Sequence, residues 1–183
     1  MDTTLHKLPT TATGQNDEHA FEEMYRQYFI RLFRFCHAIV HEKGPAEEIV
    51  HDVFLNIWKR RDRLSAIDNL EVYLYISAKN HCLNHLRKDR NQRTIDIDAL
   101  CDDALQFQPD PESLLVRAET MKSVIAAIGQ LPPKCKLIFK LIKEDGLKYK
   151  DVAQLLDLSV KTVEAQLAIA IRKIGQALRE GSS

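Results

Sequence analysis

Apolar side chains recur every three or four residues along most of this chain, and this spacing constrains its fold more than any other feature. Between Asp17 and Val40 the repeat marks one face of a helix. The apolar residues of that face are Phe21, Tyr25, Tyr28, Leu32, Phe35 and Ile39. The 183 residues include only six glycines and six prolines, so little sequence is available for turns. Long periodic segments with few turns predict an all-α protein.

Two more helices are expected in the N-terminal half. Gly44-Pro45 should separate the first helix from a second one that runs to about Arg61, because proline suits the first turn of a helix. The core-facing residues expected of this second helix are Ile49, Val50, Val53, Phe54 and Ile57. A third helix is expected over about Leu70 to Lys88. Its inward-facing residues are predicted to be Tyr73, Ile76, Leu83 and Leu86.

The distribution of charged residues along the chain indicates its domain organisation. Acidic and basic residues are equal in number, 26 each, which excludes a uniformly basic nucleic-acid-binding surface. Residues 94–120 contain seven acidic residues and one basic residue, and they include Pro109 and Pro111. This composition predicts an acidic flexible linker at residues 94–113. We therefore expect a disordered tail at 1–16 and two small helical domains, at 17–93 and 114–183.

Composition also argues against a membrane protein and an enzyme. No run of 18 apolar residues occurs and the N-terminus lacks a signal pattern, so we expect a cytoplasmic chain with no direct membrane insertion. Its four cysteines form no CxxC pair, which is typical of reduced thiols. His81, Cys82 and His85 could ligate a metal, but no further ligand completes the set. We predict no catalytic residues, no cofactor and no metal site.

The segment Lys148 to Ile174 has the pattern of a helix-turn-helix. Two helices, Tyr149–Leu156 and Val160 to about Leu178, flank a three-residue turn, Asp157-Leu158-Ser159. Ser159 is placed to cap the second helix. The residues expected to reach DNA from that helix are Ser159, Lys161, Thr162, Ala165, Gln166 and Arg172. The first turns of such a helix contact base edges in the major groove, and Arg172 is better placed for phosphate.

Three motifs in this order resemble the sigma-70 family of bacterial RNA polymerase initiation factors, of the extracytoplasmic-function (ECF) type. The resemblance covers about Phe21 to Asn91 and Leu114 to Leu178. The motifs are AEEIVHDVFLNIWKRR from Ala46, YLYISAKNHCLNHLRKDR from Tyr73 and LPPKCKLIFKLIKEDGLKYKDVAQLLDLSVKTVEAQL from Leu131. The resemblance implies a factor that binds core RNA polymerase and directs it to promoters with specific −10 and −35 elements.

The same resemblance implies three sets of contact residues. Polymerase binding would involve Glu48, His51, Asp52, Leu55, Asn56 and Lys59. The −10 element, as the melted non-template strand, would be bound by Asn80, Asn84, Arg87, Lys88 and Arg90, with the loop Ser65–Asn69 as a base pocket. The helix-turn-helix would bind the −35 element as duplex. An anti-sigma factor is a further partner that the resemblance implies.

A LuxR-like transcriptional regulator is the alternative, because its DNA-binding domain has a very similar LSVKTVE signature. Such a protein would act without replacing a sigma factor. A receiver or ligand-sensing domain would show strands that alternate with helices. The N-terminal half here has helical periodicity throughout, so the sequence favours the sigma-70 interpretation.

Overall fold

A computed structural model describes residues 14–61, 67–90 and 118–180 of the chain. The chain divides into two compact units, with the boundary between Ile95 and Asp96. The predicted acidic linker at 94–113 and most of the predicted tail at 1–16 lie outside the described residues, so these two assignments stay predictions.

Three helices pack against one another in the N-terminal unit. They are α1 (Gly14–Val40), α2 (Lys43–Lys59) and α3 (Leu70–Arg90), and each contacts the other two. Helix α1 begins three residues before the expected start. The ends of α2 and α3 lie within two residues of the prediction.

The turn between α1 and α2 is formed by His41 and not by Gly44-Pro45 as the sequence suggested. His41 has a left-handed backbone with φ of 61°, and its N–H donates to the His37 carbonyl at 2.9 Å. Helix α2 then begins at Lys43, so Gly44 and Pro45 both lie inside its first turn. Histidine tolerates this left-handed conformation better than bulkier or β-branched residues do, which explains why the turn needs no glycine.

The predicted core face of α2 is confirmed. All five of its expected residues are buried, together with Ala46. On α1 the expected face is buried at Leu32, Phe35 and Ile39 and half-buried at its N-terminal residues Phe21 and Tyr25. Burial of each large aliphatic or aromatic side chain contributes about 1.5–3 kcal/mol, so these faces fix how the two helices are rotated.

The predicted inward face of α3 is wrong at three of its four positions. Tyr73, Ile76 and Leu83 are only half-buried, and Leu86 alone of the four is buried. Among the described side chains of α3, the buried ones are Val72, Leu74, Tyr75, Ala78, Lys79, Cys82 and Leu86. Leu74, Ala78, Cys82 and Leu86 follow one another at four-residue intervals. Lys79 is buried beside them, although lysine is rarely buried to this extent.

The C-terminal unit is built around its last helix. Its helices are α4 (Ala118–Gly129), α5 (Pro133–Lys143), α6 (Tyr149–Leu156) and α7 (Val160–Glu180), and α7 contacts the other three. A buried cluster joins Ile128, Leu131 and Cys135 to Ala170 of α7. These contacts place one side of α7 in the core.

The turn between α6 and α7 depends on one residue with a left-handed backbone. Asp157 has φ of 55° and ψ of 43°, a conformation that Asp and Asn adopt more readily than other non-glycine residues. The N–H of Leu158 then donates to the Ala153 carbonyl at 2.9 Å. On either side of the turn Val152, Leu156 and Val163 are buried, so the predicted helix-turn-helix is present.

The all-α fold class is confirmed: the described residues contain seven helices and no strand. Among these helices we find no apolar stretch that could pass through a bilayer.

Replacement of Asp157 tests the turn. We expect Asp157→Val to lower the free energy of unfolding by about 1–2 kcal/mol, because a β-branched side chain is strained in a left-handed backbone. The free energy of unfolding of Asp157→Asn should stay close to the parent's, since Asn tolerates this conformation equally well. Denaturant unfolding followed by circular dichroism measures both variants. Equal stability of the Val and Asn variants would contradict the assigned geometry.

Candidate protein and nucleic-acid interfaces

Helix α2 presents a polar outer face that contains one large apolar side chain. Five of its six predicted contact residues are exposed: Glu48, His51, Asp52, Leu55 and Lys59. Leu55 is 52% exposed. An exposed leucine surrounded by charged groups is a typical centre for a protein–protein contact, because its burial stabilises a complex while the charges select the partner.

Two of the predicted α2 residues also contact neighbouring helices. His51 Nε2 lies 3.1 Å from the Tyr25 hydroxyl on α1. The sixth predicted residue, Asn56, is half-buried, and its amide nitrogen lies 3.5 Å from His81 Nε2 on α3. Asn56 therefore lies at the α2–α3 border, and the outer face is centred on Asp52 and Leu55.

Trp58 belongs to the packing of α2 and not to its outer face. Its indole ring contacts the Phe21 ring of α1, with centroids 4.9 Å apart. The Arg61 guanidinium lies over the indole at 4.9 Å from its centroid. Because Trp58 is half-buried between these groups, it stabilises the α1–α2 pair.

Helix α3 presents amide and basic side chains to solvent. Asn80, Asn84, Arg87 and Lys88 are all exposed. The first three are spaced by four and three residues, so they share one side of the helix. Arg90 is the last residue of α3. Asparagine offers a donor and an acceptor to a base edge, and the cationic groups can contact phosphates.

The predicted base pocket at Ser65–Asn69 is described only from residue 67 onward. Within that part, the Asn69 side-chain oxygen accepts a hydrogen bond from the Val72 N–H at 3.2 Å. Asn69 therefore caps the first turn of α3. Its role in a base pocket stays a prediction.

The histidines and Cys82 of α3 do not form a metal site with other described residues. His81 and His85 are half-buried, and Cys82 is fully buried. No group of three His, Cys, Asp or Glu side chains that could hold a metal occurs in the part of the chain that the structure describes.

Helix α7 begins with the predicted cap. The Ser159 hydroxyl accepts a hydrogen bond from the Thr162 N–H at 3.0 Å, and the two side-chain hydroxyls lie 2.8 Å apart. This satisfies one of the N–H groups that a helix leaves without an internal partner. Thr162 is half-buried.

The predicted DNA face of α7 is exposed at three central positions. Lys161, Ala165 and Arg172 lie opposite the buried Val163 and Ala170 and are open to solvent. Glu164 is also exposed, at the edge of this face. The arrangement combines a small residue, which permits close approach, with two cationic groups.

Gln166 differs from the expectation that it points away from the core. It is half-buried, and its side-chain oxygen lies 2.7 Å from the thiol of Cys135 on α5. No local sequence pattern relates two residues that are 31 positions apart, so this contact could not be predicted.

Comparison with known families identifies the chain. The family model for sigma-70 region 2 matches residues 24–92, and the model for sigma-70 region 4 matches residues 121–174. The chain belongs to the sigma-70 family. Region 2 coincides with the three-helix unit, and region 4 with the unit that contains the helix-turn-helix.

Curated relatives place this sigma factor with the ECF type. The RNA polymerase sigma-H factor of Pseudomonas aeruginosa is 26% identical over 173 residues, which cover 90% of this chain and 89% of the relative. The ECF RNA polymerase sigma-E factor of Escherichia coli (strain K12) is 24% identical over 160 residues, which cover 84% of this chain and 83% of the relative.

A solved structure has the same fold. The sigma factor RpoE of Bartonella quintana, in complex with the anti-sigma factor NepR, superposes with a TM-score of 0.54 at 19% sequence identity. The match covers 87% of this chain and 96% of that chain.

The family fixes the function in outline. This sigma factor is a transcription initiation factor that binds core RNA polymerase and directs it to specific promoters. The LuxR-like alternative is not favoured, because the region 2 match covers the N-terminal half that such a regulator would lack. Membership is also consistent with the prediction that the chain is not an enzyme.

The cap at the start of α7 can be tested by stability measurements. We expect Ser159→Ala to lower the free energy of unfolding by about 1 kcal/mol, because the Thr162 N–H loses its acceptor. Ser159→Asp should retain most of the stability, since aspartate caps equally well and complements the helix dipole. Denaturant unfolding of the full chain compares the two. The interpretation is wrong if the Ala variant unfolds at the parent's midpoint.

Proposed function

We propose that this sigma factor uses three separate helix faces, one for core polymerase and two for the promoter elements. The outer face of α2 binds core polymerase, α3 binds the melted −10 strand and α7 binds the −35 duplex. The exposure of Leu55 among charged residues is the observation that carries the assignment to α2. A cytoplasmic location accords with these partners, which are the polymerase and DNA.

The assignment of α2 rests on the chemistry of its outer face. Glu48 and Asp52 are acidic, Lys59 is basic, and Leu55 lies between them along the helix. A helix with one apolar anchor and charges of both signs is suited to dock on another helix. A nucleic-acid contact is disfavoured, since the two carboxylates would repel phosphates.

The assignment of α3 rests on the opposite chemistry. Its exposed side carries two asparagines and two cationic residues. Unpairing and unstacking a base costs a few kcal/mol, which binding of the flipped base must offset. Asn80 and Asn84 can hydrogen-bond base edges, while Arg87 and Lys88 attract the backbone.

The assignment of α7 rests on the geometry of the helix-turn-helix. The cap at Ser159 and the left-handed turn at Asp157 fix where α7 begins. The exposed Lys161, Ala165 and Arg172 then share the side that a major groove would meet. Thr162 and Gln166 lie on the flank of this side.

An anti-sigma factor is a further proposed partner. The Bartonella quintana RpoE is solved with the anti-sigma factor NepR. In this chain, an inhibitor that covered Leu55 would compete directly with core polymerase for the same face.

Leu55 provides the test of the polymerase face. We expect Leu55→Ala to weaken binding to core polymerase about tenfold, because truncation of a central apolar anchor commonly costs more than 1 kcal/mol of binding energy. Fluorescence anisotropy of labelled sigma factor, titrated with core enzyme, measures the dissociation constant.

Ile30 of α1 is the matched control, since it is 47% exposed and lies outside the proposed face. Ile30→Ala should bind core polymerase like the parent. Both variants should unfold at the parent's midpoint, because neither side chain is in a core. Equal affinities of the two variants for core polymerase would refute the proposed face.

Variants of Asn84 and Arg87 test base recognition and phosphate contact in the −10 element separately. With holoenzyme and a single-stranded non-template −10 oligonucleotide, Asn84→Ala should reduce the discrimination between the −10 sequence and its base-substituted forms. Arg87→Ala should weaken the binding of all sequences alike. It should also reduce the slope of log affinity against log salt concentration by about 0.7, the value for one phosphate on single-stranded DNA. Filter binding at several salt concentrations measures both effects. Unchanged affinity and selectivity in both variants would exclude this face.

A further inference from the structure

The contact between Cys135 and Gln166 joins the proposed −35 recognition helix to the helix behind it. Cys135 Sγ donates to the Gln166 side-chain oxygen at 2.7 Å. Cys135 is buried, with 2% of its surface exposed, while Gln166 is half-buried. The thiol lies in the core cluster with Ile128, Leu131 and Ala170, so its position is fixed by packing.

The direction of this hydrogen bond follows from the state of the thiol. Burial raises the pKa of Cys135, and Lys173 only partly opposes this effect. The group therefore stays a protonated thiol at neutral pH and has a proton to donate. Sulfur is a weak acceptor and an amide carbonyl is a strong one, so the Gln166 oxygen, and not its NH₂ group, faces the thiol.

The position of Gln166 on α7 leaves its amide nitrogen near the proposed DNA face. Gln166 follows the exposed Ala165 and lies one turn after Thr162. Burial of Leu167 and Ala170 fixes the rotation of α7. Gln166 thus lies at the border between the core and the surface that would meet the major groove.

The contact changes which bases Gln166 can recognise. An unrestrained glutamine pairs with adenine in two ways at once, donating to N7 and accepting from the N6 amino group. An oxygen held against the buried Cys135 thiol faces the core, so the NH₂ donors are the groups left to face DNA. Guanine offers two acceptors, N7 and O6, and thymine offers O4, whereas the major-groove edge of cytosine offers only a donor.

We propose that Cys135 is a positioning residue for −35 recognition, which holds the Gln166 carbonyl so that Gln166 offers DNA only its amide donors. The inference rests on the proposed role of α7. Gln166 then favours guanine at its base pair, disfavours cytosine and gains no paired contact with adenine. The −35 specificity of this chain accordingly depends on a side chain that does not itself touch DNA.

The test is a base-preference profile. Holoenzyme is assembled from core polymerase with each sigma variant and transcribes a promoter library that is randomised across the −35 element. The proposal expects Gln166→Ala to lose preference at one base pair, by about three- to tenfold, the range for one hydrogen bond. Cys135→Ala should raise the use of adenine relative to guanine at that same pair and leave the other positions unchanged.

A conservative variant separates positioning from packing. Cys135→Ser keeps a donor of similar size, so the parent's profile should be retained. The double variant Cys135→Ala with Gln166→Ala should match Gln166→Ala alone, because without Gln166 the thiol has nothing to position. Ile128→Val removes one methyl group from the same cluster, and it should affect stability without a change in the profile.

The outcomes distinguish this inference from the proposed function. If Cys135→Ala has the parent's profile at every −35 position, the positioning role is refuted. If Gln166→Ala has the parent's profile, Gln166 is not a recognition residue, and the inference is overturned while the role of α7 stands. If randomising the −35 element has no effect on transcription by the parent holoenzyme, the proposed role of α7 itself fails.

Discussion

Burial of one side of each helix fixes its rotation, and this constraint decides which side chains are presented to partners. In α2 the buried Val53 and Ile57 leave Leu55, between them in sequence, on the opposite side. In α7 the buried Val163 and Ala170 have the same consequence for Lys161 and Ala165. A shift of the buried side by one residue would rotate each helix by about 100°. It would turn these groups away from the proposed contact surfaces.

The rotation of a helix was predictable where its apolar stripe is clear. In α2, Ile49, Val53 and Ile57 recur every four residues, and their burial was predicted correctly from this spacing. Helix α3 gave the wrong register because apolar residues occur on all its sides near the N-terminus. Its buried side includes Leu74, Ala78 and Cys82, which are spaced by four residues. Lys79 is buried beside them because its long aliphatic stem can pack against apolar groups.

Contacts between distant residues account for the remaining differences at the candidate site. The sequence predicted where α7 begins, because a cap such as Ser159 acts within one turn. It also placed Gln166 and Asn56 on outward faces, and the structure shows each at a border with a neighbouring helix. Such borders depend on which helix packs alongside and at what angle, and neither quantity is contained in the local pattern.

Two helices of the same three-helix unit can serve different partners because their outer faces differ in chemistry. Helix α2 exposes carboxylates and an apolar anchor, which favour a protein surface and repel phosphates. Helix α3 has no large apolar side chain among those that are strongly exposed, and its amides and cationic groups favour a polyanion with hydrogen-bonding bases. The buried faces of both helices meet in one core. If α2 binds polymerase and α3 binds the −10 strand, as we propose, polymerase binding at α2 would also fix the position of α3 on the enzyme.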